Sequence, residues 1–178
     1  MIYVVDTNIF SLIFKNMKPR SVFEKLIYEP LETLMKQGKV ISVDEVYEEL
    51  SGAFSNKEAD WDWFKTHKDS FGYLSNEECK TLMEIFKNKK FREGVKEKSI
   101  RIGSPEADAM IIAKAKALNA LVVTNEASDK PNAEKLPNMC VAFNLKFIKL
   151  EEFYQVLSNV SLGKDELDGV SVRETLDE

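Results

Sequence analysis

Short apolar runs alternate with longer amphipathic ones along the chain, and that alternation predicts the elements. Ile2-Tyr3-Val4-Val5 is an apolar run of strand formers, closed by the polar Asp6-Thr7-Asn8. Ile9, Phe10, Leu12 and Ile13 follow at helical spacing, with Thr7 or Asn8 near the N-cap. Ser21 to Gln37 reads as helix, interrupted at Pro30 and closed by Gly38. Val40–Val43 is a second strand, and Asp44 opens a helix through Val46, Tyr47, Leu50 and Ala53. From about Ser55 to Gly103 the pattern is helical and polar, with Trp61, Trp63, Phe64 and Phe71 expected as packing residues and His67 at the surface. Ser104-Pro105-Glu106 starts a helix that runs to about Leu118. Leu121–Thr124 is a third strand, Pro131–Pro137 a loop, Phe147-Ile148 a short fourth strand and Glu151–Leu157 a last helix.

Strands alternating with helices predict an α/β fold: three layers, α/β/α, with a central parallel sheet of four or five strands. The 178 residues suit one domain with a substantial core. The expected division is a domain over 1–158 and an acidic, flexible tail over 159–178, where six acids face two bases. Net charge is −5, most of it in that tail, so nothing resembles a basic nucleic-acid wrapper. No run approaches the ~20 apolar residues that span a bilayer. Without a basic leader, a cytoplasmic protein is expected. Cys79, Cys140 and the single His67 do not compose a zinc site and read as idle groups.

Four acids break the pattern around them. Asp6 follows a buried-type strand, and Glu126 lies just beyond Val123. The carboxyl ends of parallel strands line the ligand crevice of such folds, so both acids open into it. Asp108 shares a helical face with Ile111, Ile112 and Ala115. Glu49 flanks the stripe of Val46, Leu50 and Ala53; Glu48 competes with it but faces further away. Two carboxylates ~4 Å apart repel by about 4 kcal/mol at an effective dielectric of ~20, so convergence requires protonation or a cation. All-oxygen donors select Mg²⁺ or Mn²⁺.

These residues sit in a recognisable order. Val4-Val5-Asp6-Thr7-Asn8, Val46-Tyr47-Glu48-Glu49-Leu50, the run Glu106 to Ala113 and Val122-Val123-Thr124-Asn125-Glu126 together resemble the PIN-domain nucleases over roughly residues 2–157. Lys135-Leu136-Pro137 through Cys140, and Phe143 to Phe153, resemble a prokaryotic branch close to the VapC-type toxins of toxin–antitoxin pairs. The resemblance implies a metal-dependent endoribonuclease with catalytic Asp6, Glu49, Asp108 and Glu126. Of these, Asp6, Asp108 and Glu126 would hold Mg²⁺ or Mn²⁺. Many relatives have Asp at the last position, so Asp129 is a possible substitute for Glu126. Asn8 matches a polar residue that orders the site, and Thr124 and Glu48 are further supporting candidates.

Implied partners are an RNA substrate, an antitoxin protein and a second copy of the chain, with no membrane. Lys89, Lys90 and Arg92 lie in a basic run from Lys87 to Arg101 that suits a phosphate backbone. The alternative is a PIN-like fold that has lost catalysis and serves as a binding or scaffold module. A hydroxyl-triad hydrolase lacks its histidine, and a receiver-type or phosphatase domain lacks its mid-chain Asp and later Lys.

Overall fold

The apolar runs are strands of one sheet. The computed structural model, which describes residues 1–87, 107–127 and 135–176, contains β1 (Tyr3–Val5), β2 (Val40–Val43), β3 (Phe71–Gly72), β4 (Leu121–Val123) and β5 (Phe147–Ile148). Their order is β3-β2-β1-β4-β5 and every pairing is parallel. Tyr3 is opposite Val40 on one side and Leu121 on the other, so β1 is central and all three of its residues are buried.

The helices are α1 (Thr7–Asn16), α2 (Arg20–Phe23), α3 (Glu29–Lys36), α4 (Asp44–Phe54), α5 (Glu58–Thr66), α6 (Asn76–Lys87), α7 (Ala107–Leu118), α8 (Leu136–Ala142) and α9 (Leu150–Ser161). From β1 the chain moves outward through β2 to β3, then returns to β4 and β5 on the other side. Right-handed crossovers running in opposite directions put their helices on opposite faces. On one side α7 packs on β1, β2 and β4 with α6 and α8 against it; elsewhere α3 packs on β2 and against α9. The result is the expected three-layer α/β/α fold, with five strands.

Local chemistry explains where the elements depart from the pattern. Pro30 does not break its helix: a π-helical turn over Glu24–Tyr28 precedes it, the Glu29 N–H reaches back to Glu24 O, and Pro30 enters the first turn of α3. There its missing N–H matters least. Gly38 adopts φ +66°, while Gly38 and Lys39 donate to Met35 and Leu34 oxygens at 2.9 and 2.8 Å. That double bond ends α3 and turns the chain into β2.

Four expectations need correction. The stretch expected to be helix throughout contains β3, whose Phe71 and Gly72 pair with Ser42 and Val43. Two residues carry no periodicity; pairing to β2 and burial of Phe71 make them a strand. Leu136 and Pro137, expected in a loop, instead open α8, with Pro137 in its first turn. His67 is buried, not superficial: its Nδ1 donates to Trp63 O at 2.8 Å and its ring lies 4.2 Å from that of Trp63. The cap of α1 is Asp6 rather than Thr7 or Asn8.

The aromatics do pack as expected. Phe10, Phe14, Phe54, Trp63, Phe64 and Phe71 form a ring cluster with centroid separations from 4.6 to 6.4 Å. Trp61, half-buried, rests 5.1 Å from Tyr47.

The acidic tail is tied to the domain through its described residues. Arg173 forms an antiparallel bridge with Phe147 on the outer edge of β5 and an ion pair with Glu152 at 2.8 Å. Glu166 accepts from Lys39 and from the Tyr3 hydroxyl at 3.2 Å. Leu167, Val170 and Val172 also pack, half-buried, against the core. Among the described residues no helix is long and apolar enough to cross a membrane.

Candidate functional site

The sheet order places a reversal between β1 and β4, because the chain leaves toward β2 on one side and returns to β4 on the other. The crevice beyond the strand ends at such a point is where open α/β sheets bind ligands. Asp6 leaves β1 there and Thr124 leaves β4. The Asp6 N–H donates to Val123 O at 3.0 Å, which stitches the two ends together.

The Asp6 side chain spans the same gap. The Thr124 hydroxyl donates to Asp6 Oδ2 at 2.9 Å, and the Asn8 amide donates to the same oxygen. Asn8 also reaches Thr124 Oγ1 at 3.3 Å and accepts the Asn125 N–H at 3.0 Å. Asn8 and Thr124 therefore hold the Asp6 carboxyl in one orientation. Asp6 caps α1 without a side-chain hydrogen bond to the backbone N–H groups of that helix, which leaves its carboxyl for these side-chain partners.

Asp6 is only 6% exposed. Burial, then the charges of Asp108 and Glu126, push its pKa from 3.8 up to about 8; the Thr124 hydrogen bond works the other way and Glu49 adds to the rise. The other three acids singled out in the sequence thus all act on the Asp6 carboxyl. Asp108 lies in the first turn of α7, half-buried. The Cys140 thiol, buried in α8, is pushed up by burial and feels the charge of Asp6 as well.

Glu49 and Glu48 separate cleanly. Glu48 is exposed, whereas Glu49 is half-buried and accepts a hydrogen bond from Thr7 Oγ1. Glu126 turns inward from the end of β4, and its Oε2 accepts the Leu136 N–H at 2.9 Å, which anchors the start of α8. Asp129, Lys89, Lys90 and Arg92 lie outside the described residues.

Two groups escaped the sequence pattern. Thr7 carries no signal beyond its place next to Asp6. Glu45 stands one turn before Glu49 on α4, a spacing that could have drawn attention to it. Burial first, then contact with the Asp44 carboxyl, push Glu45 up to about 7, and Glu49 adds its charge. Two carboxyls bond to each other only by sharing a proton.

The donor chemistry suits a hard divalent cation: carboxylate oxygens, one of them buried and strongly disfavoured as a bare anion. The geometry is less complete. Among the described residues, no three His, Cys, Asp or Glu side chains form a group placed to hold a metal ion. Glu49 is drawn to Thr7 and Glu126 to Leu136, so a shell around one ion would need these longer side chains to turn toward Asp6 and Asp108.

Comparison with curated proteins and with solved structures gave no match. Residues 3–159, nearly the whole of the sheet and its helices, match the family described as Domain of unknown function (DUF4411), and the chain belongs to that family.

Proposed function

We propose that the chain is a Mg²⁺- or Mn²⁺-dependent endoribonuclease that hydrolyses RNA phosphodiester bonds, of the kind the PIN-domain resemblance implies. The observation that carries this reading is the buried Asp6 carboxyl bridged to Thr124 across the β1–β4 reversal, with the charges of Asp108, Glu126 and Glu49 acting on it. A fold gains nothing from collecting uncompensated acids around a buried carboxyl, and a cation offsets their repulsion.

Asp6, Asp108 and Glu126 would hold the ion, with Glu49 completing its surroundings. When bound, it supplies Lewis acidity toward a phosphate oxygen and acidifies water. Asn8 and Thr124 keep the Asp6 carboxyl from rotating away, a restraint whose loss in metal sites commonly weakens affinity by ~10–100-fold. Lys89, Lys90 and Arg92 would guide the RNA backbone. The toxin role, an antitoxin partner, a homodimer and a cytoplasmic setting rest on the resemblance and the sequence.

A second reading is a non-catalytic binding module. Two observations favour it: the absence of a ready three-acid group among the described residues, and the structural use of Glu126 at the start of α8. One experiment separates the two. Purified protein is titrated with Mn²⁺ and assayed on RNA oligonucleotides with and without EDTA, beside Asp6→Asn and Asp108→Asn. The nuclease reading expects saturable Mn²⁺ binding and EDTA-sensitive cleavage, with each variant reduced by about 100-fold or more. Cleavage retained in both variants rejects this site; no binding and no cleavage favours the module.

A further inference from the structure

Tyr73 is 84% exposed and is the one aromatic among the exposed large hydrophobics of the described residues; the other described aromatic side chains are buried or half-buried. Among the described residues its ring and hydroxyl have no partner. A ring left in water gains nothing from folding. Its place is set by the sheet. Counting on from Val4 opposite Ile41, Asp6 stands level with Val43, and Val43 pairs with Gly72. Tyr73 is the next residue, so it leaves the carboxyl edge of the sheet two strand spacings, ~10 Å, from Asp6. Between them α4 starts from β2, bearing Glu48 and Glu49. Two residues before Tyr73, Phe71 joins the packed aromatics: its ring lies 5.6 Å from Tyr47, which lies 5.1 Å from Trp61 and beneath the exposed Lys68 ammonium at 5.2 Å. Phe71 thus anchors the strand, and Tyr73 is presented from a fixed edge.

We infer that Tyr73 is a substrate-binding residue: its ring stacks on a base of the RNA flanking the scissile phosphate. The inference rests on the RNA-binding part of the reading above and says how the same crevice holds its substrate. The acids along this edge repel phosphates, so the uncharged base is the part of a nucleotide that the edge can hold. An aromatic face holds it by stacking, and every base has such a face to offer. The ~10 Å to Asp6 spans about three stacked nucleotides at ~3.4 Å each, which sets the stacked base near the cleaved bond rather than at it. Tyr73 therefore contributes to affinity and register, and touches none of the reacting atoms.

The test measures binding of two labelled strands by fluorescence anisotropy, in EDTA so that neither is cut. One is a single-stranded RNA oligonucleotide; the other has the same length and backbone but no bases. Full-length wild type is compared with Tyr73→Ala, Tyr73→Phe, Tyr73→Trp and Leu162→Ala, the last at a residue 62% exposed beyond the end of α9. Thermal melts check folding, which an exposed ring should not affect. Tyr73→Ala is expected to weaken binding of the RNA by about 10-fold and to leave the strand without bases unchanged. Tyr73→Phe and Tyr73→Trp keep an aromatic face and should stay within about threefold of wild type, as should Leu162→Ala. Wild-type binding by Tyr73→Ala, or equal losses on both strands, overturns the inference and leaves the nuclease reading intact. Tyr73-dependent binding by a protein that never cleaves RNA supports the inference and rejects the nuclease reading. A wild-type protein that does not bind RNA overturns both.

Discussion

The Asp6 carboxyl sets up a conflict between folding and charge. Burial and the neighbouring acids push its pKa from the ordinary 3.8 up to about 8 in the folded chain. Between those values the folded state holds a proton that the unfolded state has released. Its contribution to stability is therefore full below pH ~4 and is lost as pH rises through ~8, with a slope of at most about 1.4 kcal/mol per pH unit. Glu45, raised to about 7, acts with the same sign in the same window. In EDTA, urea unfolding should show stability falling from pH 5 to 8, and Asp6→Asn should flatten that slope and raise stability at pH 8. An unchanged slope in Asp6→Asn would show that the folded carboxyl ionises normally. Asp6 and Asp108 were legible because a charged residue at a strand end or on an apolar stripe is costly to bury, so its presence demands an explanation. Glu49 was preferred over Glu48 from its offset to Val46 and Leu50. The hydroxyls of Thr7 and Thr124 were not legible as clamps, because neither breaks a pattern.

Helix α7 illustrates what packing adds to periodicity. Its burial extends nearly around the helix, from Ala107 through Ala115, and includes Lys114. The Lys114 ammonium meets Glu78 of α6 at 3.2 Å, with side-chain exposures of 8% and 7%. Glu78 also accepts the Ser75 N–H at 2.8 Å, so the pair both caps α6 and seats it on α7. Removing one partner strands a buried charge: Lys114→Ala should lower stability by about 3–5 kcal/mol, and Lys114→Met with Glu78→Leu should recover most of it. Denaturant melts of the single and double variants check this, and a single-variant loss below about 1 kcal/mol would mean the pair is hydrated. Strand β3 and helix α8 follow the same logic. Phe71-Gly72 is a strand only because Ser42 and Val43 offer it a parallel partner. Leu136–Ala142 is a helix in part because Glu126, ten residues earlier, receives its first N–H.

The C-terminal segment links distant parts of the chain. Glu166 stands among Lys39, the Tyr3 hydroxyl and the Met1 ammonium, the last at 3.5 Å. Burial tends to raise its pKa, but the Lys39 hydrogen bond and the Met1 charge outweigh that and hold it below the usual glutamate value. A lowered folded pKa means stability present above the ordinary value and lost as pH falls below it. Glu166→Gln should cost about 1 kcal/mol at neutral pH, given its partial exposure, and progressively less toward pH 3. Equal losses at both pH values would assign the effect to packing rather than charge. This segment lies beyond the family match, which ends at residue 159, yet it bridges the outer edge of β5. An edge strand with open N–H and C=O groups invites pairing with other chains, and the Arg173 bridge covers part of that edge.

What sequence alone determined is local or periodic. Four of the five strands, most helices and the anomalous acids follow from side-chain hydrophobicity and the 2- and 3.6-residue repeats, which any stretch of chain expresses without its neighbours. Tertiary structure decided the strand order, the fifth strand, the buried Lys114–Glu78 pair, the docking of the tail and the hydrogen bonds that orient Asp6 and Glu49. Most of them join groups far apart in the chain, such as Lys114 with Glu78, 36 residues away, and Tyr3 with Glu166, 163 residues away. Such contacts form only once the chain has closed on itself, and nothing in a local pattern encodes which distant donor will meet which acceptor.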